Sequence, residues 1–197
     1  GKAKFSDEGG GEPGTLRVGP LFSEFRVARA FDSGTFATRI RVGCCVPRVE
    51  FETALVNREK HVRYQVLFPT KLAGVEHVHE IPVGAFARPE GIEFPAQNWV
   101  DVSDDRGGLA LLNVGLPGNV ASDGTLMLSV LRAHDLGAYG FGGGYEPGMS
   151  SESGFQIGVE RTVRYALVPH AGRWRDAGVF HDGLEFNQPL LARTAAS

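Results

Sequence analysis

The clearest metal-binding pattern in this sequence is the pair His77 and His79 in the stretch VEHVHEI. Residues two apart on a strand point to the same face of the sheet, so the two imidazoles could hold one ion. A third ligand is needed, and the neighbouring sequence does not supply one. Two histidines on the solvent-facing side of a strand are therefore the simpler interpretation.

Two other histidines lie close to groups with which they could share protons or a ligand. His134 precedes Asp135 at the start of a long loop, but side chains adjacent in sequence rarely point at each other. His170 ends a predicted strand, and Trp174 and Arg175 follow it. A tryptophan beside arginines can stack on a sugar ring or a base, and it can equally pack on the edge of the core. Packing is the simpler reading of Trp174.

The most visible acids are Asp104 and Asp105 in the turn SDDRGG. Two carboxylates roughly 5 to 10 Å apart can hydrolyse a glycosidic bond. In a turn, however, aspartates bond to their own backbone, which explains both residues without any chemistry. No GxSxG, HExxH, CxxC pair or phosphate-binding glycine loop occurs. Local motifs therefore predict no self-contained active site.

Alternating apolar and polar residues predict four strands in the first seventy residues: LFSEFRVARAF, TFATRIRV, RVEFETALV and HVRYQVLF. The connections SG, VP and NREK are short enough to join antiparallel neighbours, which predicts a meander. Further strands are predicted at Val75–Ile81, Val83–Ala87, Trp99–Val102, Leu109–Asn113, Thr125–Arg132, Val159–Pro169 and Val179–Leu184. No segment has a sustained helical apolar stripe. Ten or eleven such strands need two stacked sheets, so we expect an all-β fold, a large antiparallel sandwich.

The charge balance argues against polyanionic partners. The chain has 20 basic and 23 acidic residues and a formal charge of −3. Such a chain is not drawn to phosphate backbones or anionic lipid, and no apolar run is long enough to cross a bilayer. We expect neither a nucleic-acid nor a membrane partner.

Residues 1–15 are polar and glycine-rich, which predicts a linker, and residues 16–197 are expected to form one sandwich domain. Ala133–Gly154 is a glycine-rich loop with Tyr139, Phe141 and Tyr145, of a length that is usually functional or disordered.

Cys44 and Cys45 are adjacent and bridge only through a strained ring, so two free, partly buried thiols are expected. Free thiols favour a reducing, cytoplasmic location.

Nine short stretches, taken in order, resemble the C-terminal β-sandwich region of family 38 glycoside hydrolases, the α-mannosidases. The resemblance runs from about Leu16 to Ala192, and its stretches are GPLFSEFRVARAF, RVEFET, HVRYQVLFP, HEIPVGAFARP, FPAQNWVDVSD, GGLALLNVG, GTLMLSVLR, RYALVPHAGRW and FNQPLLA. It implies a galactose-mutarotase-like supersandwich that packs on the N-terminal catalytic barrel of the same enzyme. It also implies retaining hydrolysis of α-linked mannosides, with a carboxylate nucleophile and a zinc ion in that barrel. Nothing before Leu16 is similar to the family's HxD metal element, so this chain alone is expected to be inactive, with no catalytic or metal residue and no cofactor of its own.

The resemblance also implies where this region could touch sugar. Arg132 matches the arginine that ends the LSVLR strand, whose guanidinium suits bidentate contacts with sugar hydroxyls or a nearby carboxylate at the rim of the cleft. An ordinary surface arginine is the alternative interpretation of Arg132. Asn113 matches the asparagine of the family's LLND-type turn and could bond a sugar or close its own turn. The acid and aromatic that often follow that asparagine are absent here, since Asn113 is followed by VGLPG.

The predicted substrate-binding residues are thus Arg132, Asn113 and Trp174. One alternative is a free-standing carbohydrate-binding sandwich that uses Trp99, Trp174 and the loop tyrosines as stacking platforms. Another is an interaction domain whose exposed apolar face forms a homo-oligomer.

Overall fold

The computed structural model describes residues 3–6, 13–31, 34–72, 74–134, 152–188 and 190–191. Strands in these ranges are β1 Thr15–Val18, β2 Phe22–Phe31, β3 Gly34–Gly43, β4 Val49–Val56, β5 Val62–Pro69, β6 Glu76–Ile81, β7 Gly84–Ala87, β8 Phe94–Pro95, β9 Trp99–Ser103, β10 Gly107–Asn113, β11 Gly118–Ser122, β12 Thr125–Ala133 and β13 Glu160–Ala171. Two helices follow them, α1 Trp174–Ala177 and α2 Val179–Asn187, and a 3₁₀ turn covers Glu152–Phe155.

The strands form two sheets, which confirms the predicted antiparallel sandwich. The large sheet has the order β1-β2-β3-β4-β13-β10-β9-β6-β7, and the small sheet has the order β5-β12-β11-β8. Every pairing between these strands is antiparallel. The predicted meander is correct for β2, β3 and β4 but wrong for β5, which leaves the large sheet and pairs with β12.

The centre of the large sheet is covered on both faces. Leu111 packs towards the small sheet with Val100 and Tyr165, and Leu112 packs towards the helices with Trp99. Leu111 and Leu112 are adjacent and both fully buried, which is possible only because a layer covers each face. The fold therefore has three layers, with the helices outside the large sheet.

The prediction of a strand at Val179–Leu184 is wrong, because this segment lies in α2. Its buried residues Val179, Gly183 and Phe186 are four and three apart, which is the helical period. Gly178 has a φ of 73° and separates the two helices. A Cβ at Gly183 would lie 2.6 Å from Cδ1 of Trp99, so only glycine allows this close approach.

Strands β1, β2 and β3 carry apolar side chains that the small sheet does not cover. Leu16 is opposite Phe25, and Val18 and Val42 flank Ser23 in the adjacent pairs. These four apolar residues are exposed, at 66% for Leu16 and 77% for Val18. We call Leu16, Val18, Phe25 and Val42 the apolar extension. Thr15 already belongs to β1, so the sheet includes the last residue of the predicted linker.

Candidate functional site

A β-bulge in β12 decides which way Arg132 points. Leu126 and Leu128 are buried, so simple alternation would turn residues 130 and 132 inward as well. The register with β5 shifts between Ser129 and Leu131, and the extra residue, Val130, reverses the alternation. Leu131 is consequently buried and Arg132 is exposed. The bulge thus places the predicted sugar-contacting arginine on the outer face of the small sheet.

Polar residues from neighbouring strands lie beside Arg132. Arg63 is its direct partner across the β5–β12 pair. Nη1 of Arg63 donates to Oε2 of Glu93 at 2.7 Å, and Oγ of Ser129 donates to the same oxygen at 2.9 Å. Nε2 of Gln65 donates to Oγ of Ser129 at 3.3 Å. We call Arg132, Arg63, Glu93, Ser129 and Gln65 the outer-face cluster.

Asn113 is fully buried at the end of β10. Its Oδ1 accepts a hydrogen bond from the backbone N–H of Leu116 at 2.8 Å, and its carbonyl accepts one from Nδ2 of Asn187 at 2.9 Å. The side chain therefore closes its own turn, which is one of the two roles that the sequence left open. A sugar contact by Asn113 stays a prediction that this burial does not favour.

Trp174 lies on the opposite side of the large sheet from Arg132. Its ring packs on Trp99 at a centroid distance of 5.0 Å, and the guanidinium of Arg175 covers it at 4.8 Å. Trp99 is only 1% exposed, so it cannot serve as a sugar-stacking platform, which corrects that part of the carbohydrate-binding alternative. The fold does not bring Arg132, Asn113 and Trp174 together.

His77 and His79 share one face of β6, as predicted, but they are buried and not solvent-facing as the simpler interpretation held. Both point towards the small sheet, because their partners across β9 are Val102 and Val100. Their Nε2 atoms lie 2.8 Å apart, and Nδ1 of His79 lies 3.4 Å from the carbonyl oxygen of Pro95. A carbonyl only accepts, so His79 carries its proton on Nδ1 and accepts at Nε2 from His77.

This arrangement holds both rings neutral. Burial, with a smaller effect from His79, lowers the pKa of His77 to about 4. Burial also lowers the pKa of His79 to about 4, where the charge of Arg88 acts in the same direction against the Pro95 carbonyl. Within the described ranges no group of three or more His, Cys, Asp or Glu could hold a metal ion. The two rings form a hydrogen bond with each other, and the described residues supply no third ligand that an ion would need.

Sequence reasoning missed a buried cluster around Asp101 in β9. Oδ2 of Asp101 lies 2.7 Å from Nε2 of His170, and Oγ of Ser103 donates to Oδ1 of the same carboxylate. Burial acts to lower the pKa of His170, but the hydrogen bond and charge of Asp101 outweigh it and leave that pKa raised. An acid inside the apolar strand WVDVS was the available signal, since a buried carboxylate needs a partner.

The Asp101 cluster is not a nucleophilic triad. Ser103 is 1% exposed and donates to the aspartate instead of the imidazole, so its hydroxyl has neither a base nor access to substrate. The cluster joins β9 to β13 just before the chain enters α1. Its role in this geometry is to fix those elements.

The interpretation of Asp104 as a turn residue is confirmed. Its Oδ1 accepts the backbone N–H groups of Arg106 at 2.8 Å and Gly107 at 3.2 Å. The Arg106 side chain and these backbone bonds lower the pKa of Asp104 to about 2. Asp105 instead pairs with Nε of Arg173 at 2.6 Å. Both acids are thus occupied by structural bonds.

Several sequence predictions concern residues outside the described ranges, and one needs correction. Asp135 and the loop aromatics Tyr139, Phe141 and Tyr145 lie outside the described residues, and the His134 ring contacts that of His61 at 5.5 Å. Cys44 and Cys45 are free, as expected, but exposed and not partly buried. Among the helices of the described ranges, none has the length and apolarity to span a bilayer.

Comparison with known proteins finds one family model and two relatives that match this chain. The family model described as glycosyl hydrolases family 38 C-terminal domain matches residues 2–135. Alpha-mannosidase 2C1 of Mus musculus is 32% identical over 163 residues, and that of Homo sapiens is 33% identical over 165 residues. These alignments cover 78% and 79% of this chain, which spans only 14% of either relative.

Solved structures agree on the fold. A family 38 glycosyl hydrolase from Enterococcus faecalis superposes with a TM-score of 0.77 at 19% identity, covering 93% of this chain and 26% of that chain. An alpha-mannosidase from Enterococcus faecalis V583 gives 0.78 at 20% identity, covering 93% and 25%. In both, the matched region is a minor part of a larger protein.

Proposed function

Since this chain belongs to the C-terminal domains of glycosyl hydrolase family 38, we propose that it is the non-catalytic sandwich of an α-mannosidase. In this proposal the sandwich packs on the catalytic barrel of the same polypeptide and completes the rim of the cleft that binds α-linked mannosides. The relatives named alpha-mannosidase 2C1 support the substrate class, and their far greater length supports a barrel elsewhere in the polypeptide.

The observation that carries the proposal is the outward position of Arg132. A bulge that inverts the alternation of β12 buries Leu131 and exposes a guanidinium that makes no ion pair within the described ranges. An arginine in this state can donate to sugar hydroxyls or to a carboxylate beside them. A contact between Arg132 and the sugar at the rim of the cleft requires a guanidinium that is not already held in an ion pair.

The reactive groups of the proposed enzyme are contributed from outside this chain. The described residues do not fit a zinc site, because they contain no three-ligand group and His77 and His79 bind one another. When bound in the barrel, zinc would supply electrostatic polarisation of the sugar. The contribution of this chain is to bind and orient the sugar through Arg132. Asn113 closes the turn that ends β10, and Trp174, the first residue of α1, packs on Trp99.

The apolar extension supports the packing part of the proposal. Leu16, Val18, Phe25 and Val42 expose apolar surface on one face of β1 to β3, and such patches on folded proteins mark contacts with other protein surfaces. We propose that the barrel covers it in the full-length polypeptide, and a homo-oligomer stays an alternative prediction. The two free cysteines support a reducing, cytoplasmic location.

Steady-state kinetics of the full-length polypeptide on 4-nitrophenyl α-mannoside tests the role of Arg132. We expect Arg132→Ala to lower kcat/KM about tenfold or more, as the loss of a hydrogen bond from a charged donor does. Arg132→Lys should recover only part of this, because it lacks the planar fork. Arg175→Ala, on the helical side of the large sheet, is the matched control and should behave as the wild type. Equal kcat/KM for wild type and Arg132→Ala would contradict the proposal.

A further inference from the structure

Two arginines face each other directly on the outer face of the small sheet. Arg63 of β5 and Arg132 of β12 are Cα partners, and both side chains are on the solvent side. Cβ atoms of such partners are about 5 Å apart, and like charges at this distance repel. A nearby carboxylate has to compensate at least one of the two charges.

Glu93 is that carboxylate, and it is bound to only one of the arginines. Its Oε2 accepts from Nη1 of Arg63 at 2.7 Å and from Oγ of Ser129 at 2.9 Å. Within the described ranges, the side chain of Arg132 forms neither an ion pair nor a hydrogen bond. The two donors therefore keep Glu93 away from Arg132.

Glycine at position 118 leaves room for the Glu93 side chain to reach across β11. Glu93 precedes β8 at one edge of the small sheet, and its partners lie on β12 and β5, beyond β11. A Cβ on Gly118 would lie 3.0 Å from Oε1 of Glu93 and 3.0 Å from Cβ of Ser129. The missing side chain leaves a passage across β11 through which Glu93 crosses the sheet.

We propose that Arg63 and Ser129 are positioning residues that hold Glu93 away from Arg132, which keeps that guanidinium available to the sugar. This inference rests on the proposed function, because it takes Arg132 as a rim residue. A carboxylate competes far better than a sugar hydroxyl for a guanidinium, since both partners are charged. Without Arg63, Glu93 is free to turn to Arg132, which faces Arg63 across the two strands, and the resulting internal pair would remove the rim contact.

The test compares KM for 4-nitrophenyl α-mannoside in variants of the full-length polypeptide. Arg63→Met should raise KM roughly as much as Arg132→Ala does, about tenfold. Glu93→Gln should leave KM near the wild-type value, because it removes the competing charge. The double variant Arg63→Met with Glu93→Gln should recover most of the loss, and Arg63→Lys should retain a low KM.

A merely structural network predicts something different. There, Glu93→Gln would raise KM as much as Arg63→Met, and the double variant would be at least as poor, so either result overturns the inference. Arg63 is 46% exposed, and a surface ion pair adds little stability, so folding of the variants is not at stake.

A crystal structure of the Arg63→Met variant gives a readout that does not depend on activity. The inference expects a guanidinium nitrogen of Arg132 within 4 Å of a Glu93 carboxylate oxygen, and it is overturned if Glu93 points to solvent. If Arg132→Ala leaves kcat/KM unchanged, the proposed function fails and the network loses its role. If Arg132→Ala raises KM but Arg63→Met does not, only the network is wrong.

Discussion

The Nε2 atoms of His77 and His79 lie 2.8 Å apart in the space between the two sheets, where a single proton joins them. Both rings are neutral there, and burial lowers the pKa of each to about 4 from the usual 6.5. In the unfolded chain both rings take up protons below about pH 6.5. The folded state resists protonation until the pH approaches 4.

We therefore expect the free energy of unfolding to fall as the pH is lowered from 6.5 towards 4. For two rings the slope is roughly 3 kcal/mol per pH unit in this window, and the effect is absent above pH 6.5. Urea unfolding at a series of pH values measures it. His77→Asn with His79→Asn should flatten the slope, and His181→Asn, at an exposed helical position, should not. A wild-type curve that is flat between pH 4 and 6.5 would contradict this account.

The Asp101–His170 pair predicts the opposite pH dependence. Folding raises the pKa of His170, so its stabilisation is complete below the unfolded value of 6.5 and is lost as the pH rises through the folded value. His170→Gln keeps a donor for the buried Asp101 but cannot ionise. We expect this variant to be less stable at pH 6, by about 1–3 kcal/mol, and to lose the decline at higher pH.

Histidine NMR titration measures the same pair directly. Asp101→Asn should lower the pKa of His170, because the charge that raises it is removed. A wild-type His170 that titrates below 6.5 would show that burial, and not Asp101, dominates.

Deletion of Val130 tests the bulge. Without this residue Ser129 and Leu131 become neighbours, so the pairing with Gln65 and Tyr64 continues and Leu131 and Arg132 keep their directions. We therefore expect the deletion to lower the free energy of unfolding by about as much as Val130→Ala, which removes most of the same side chain, on the order of 0.5–3 kcal/mol. If Val130 were not the extra residue, the deletion would turn Leu131 towards solvent, and the loss of its buried contacts would cost about 2–5 kcal/mol more. A deletion that is less stable than Val130→Ala by this amount would contradict the assignment of the bulge.

The alternation of apolar residues was sufficient to predict most of the strands and the antiparallel sandwich. It failed where glycine interrupted the pattern. Gly178 and Gly183 obscured α2, although Val179, Gly183 and Phe186 follow its buried face. The strand Gly118–Ser122, which the alternation did not predict, is short and begins at the glycine over which Glu93 passes.

The site was less predictable, because its geometry depends on long-range register. A bulge is not visible in the sequence of β12 alone, so the direction of Arg132 had to come from its pairing with β5. Likewise, Glu93 and Arg63 are thirty residues apart and meet only because the small sheet joins β5, β12, β11 and β8, so that Glu93 can reach across β11. The burial of Asn113 and Trp99 also follows from layers that local patterns do not specify.

Hydrolysis of 4-nitrophenyl α-mannoside by the full-length polypeptide and by this 197-residue chain, each assayed with zinc present, tests the central claim most directly. We predict turnover by the full-length polypeptide and none by the chain alone, whose described residues contain no three-ligand metal group. Turnover by the chain alone, or none by the full-length polypeptide, would contradict a scaffold that only completes the cleft.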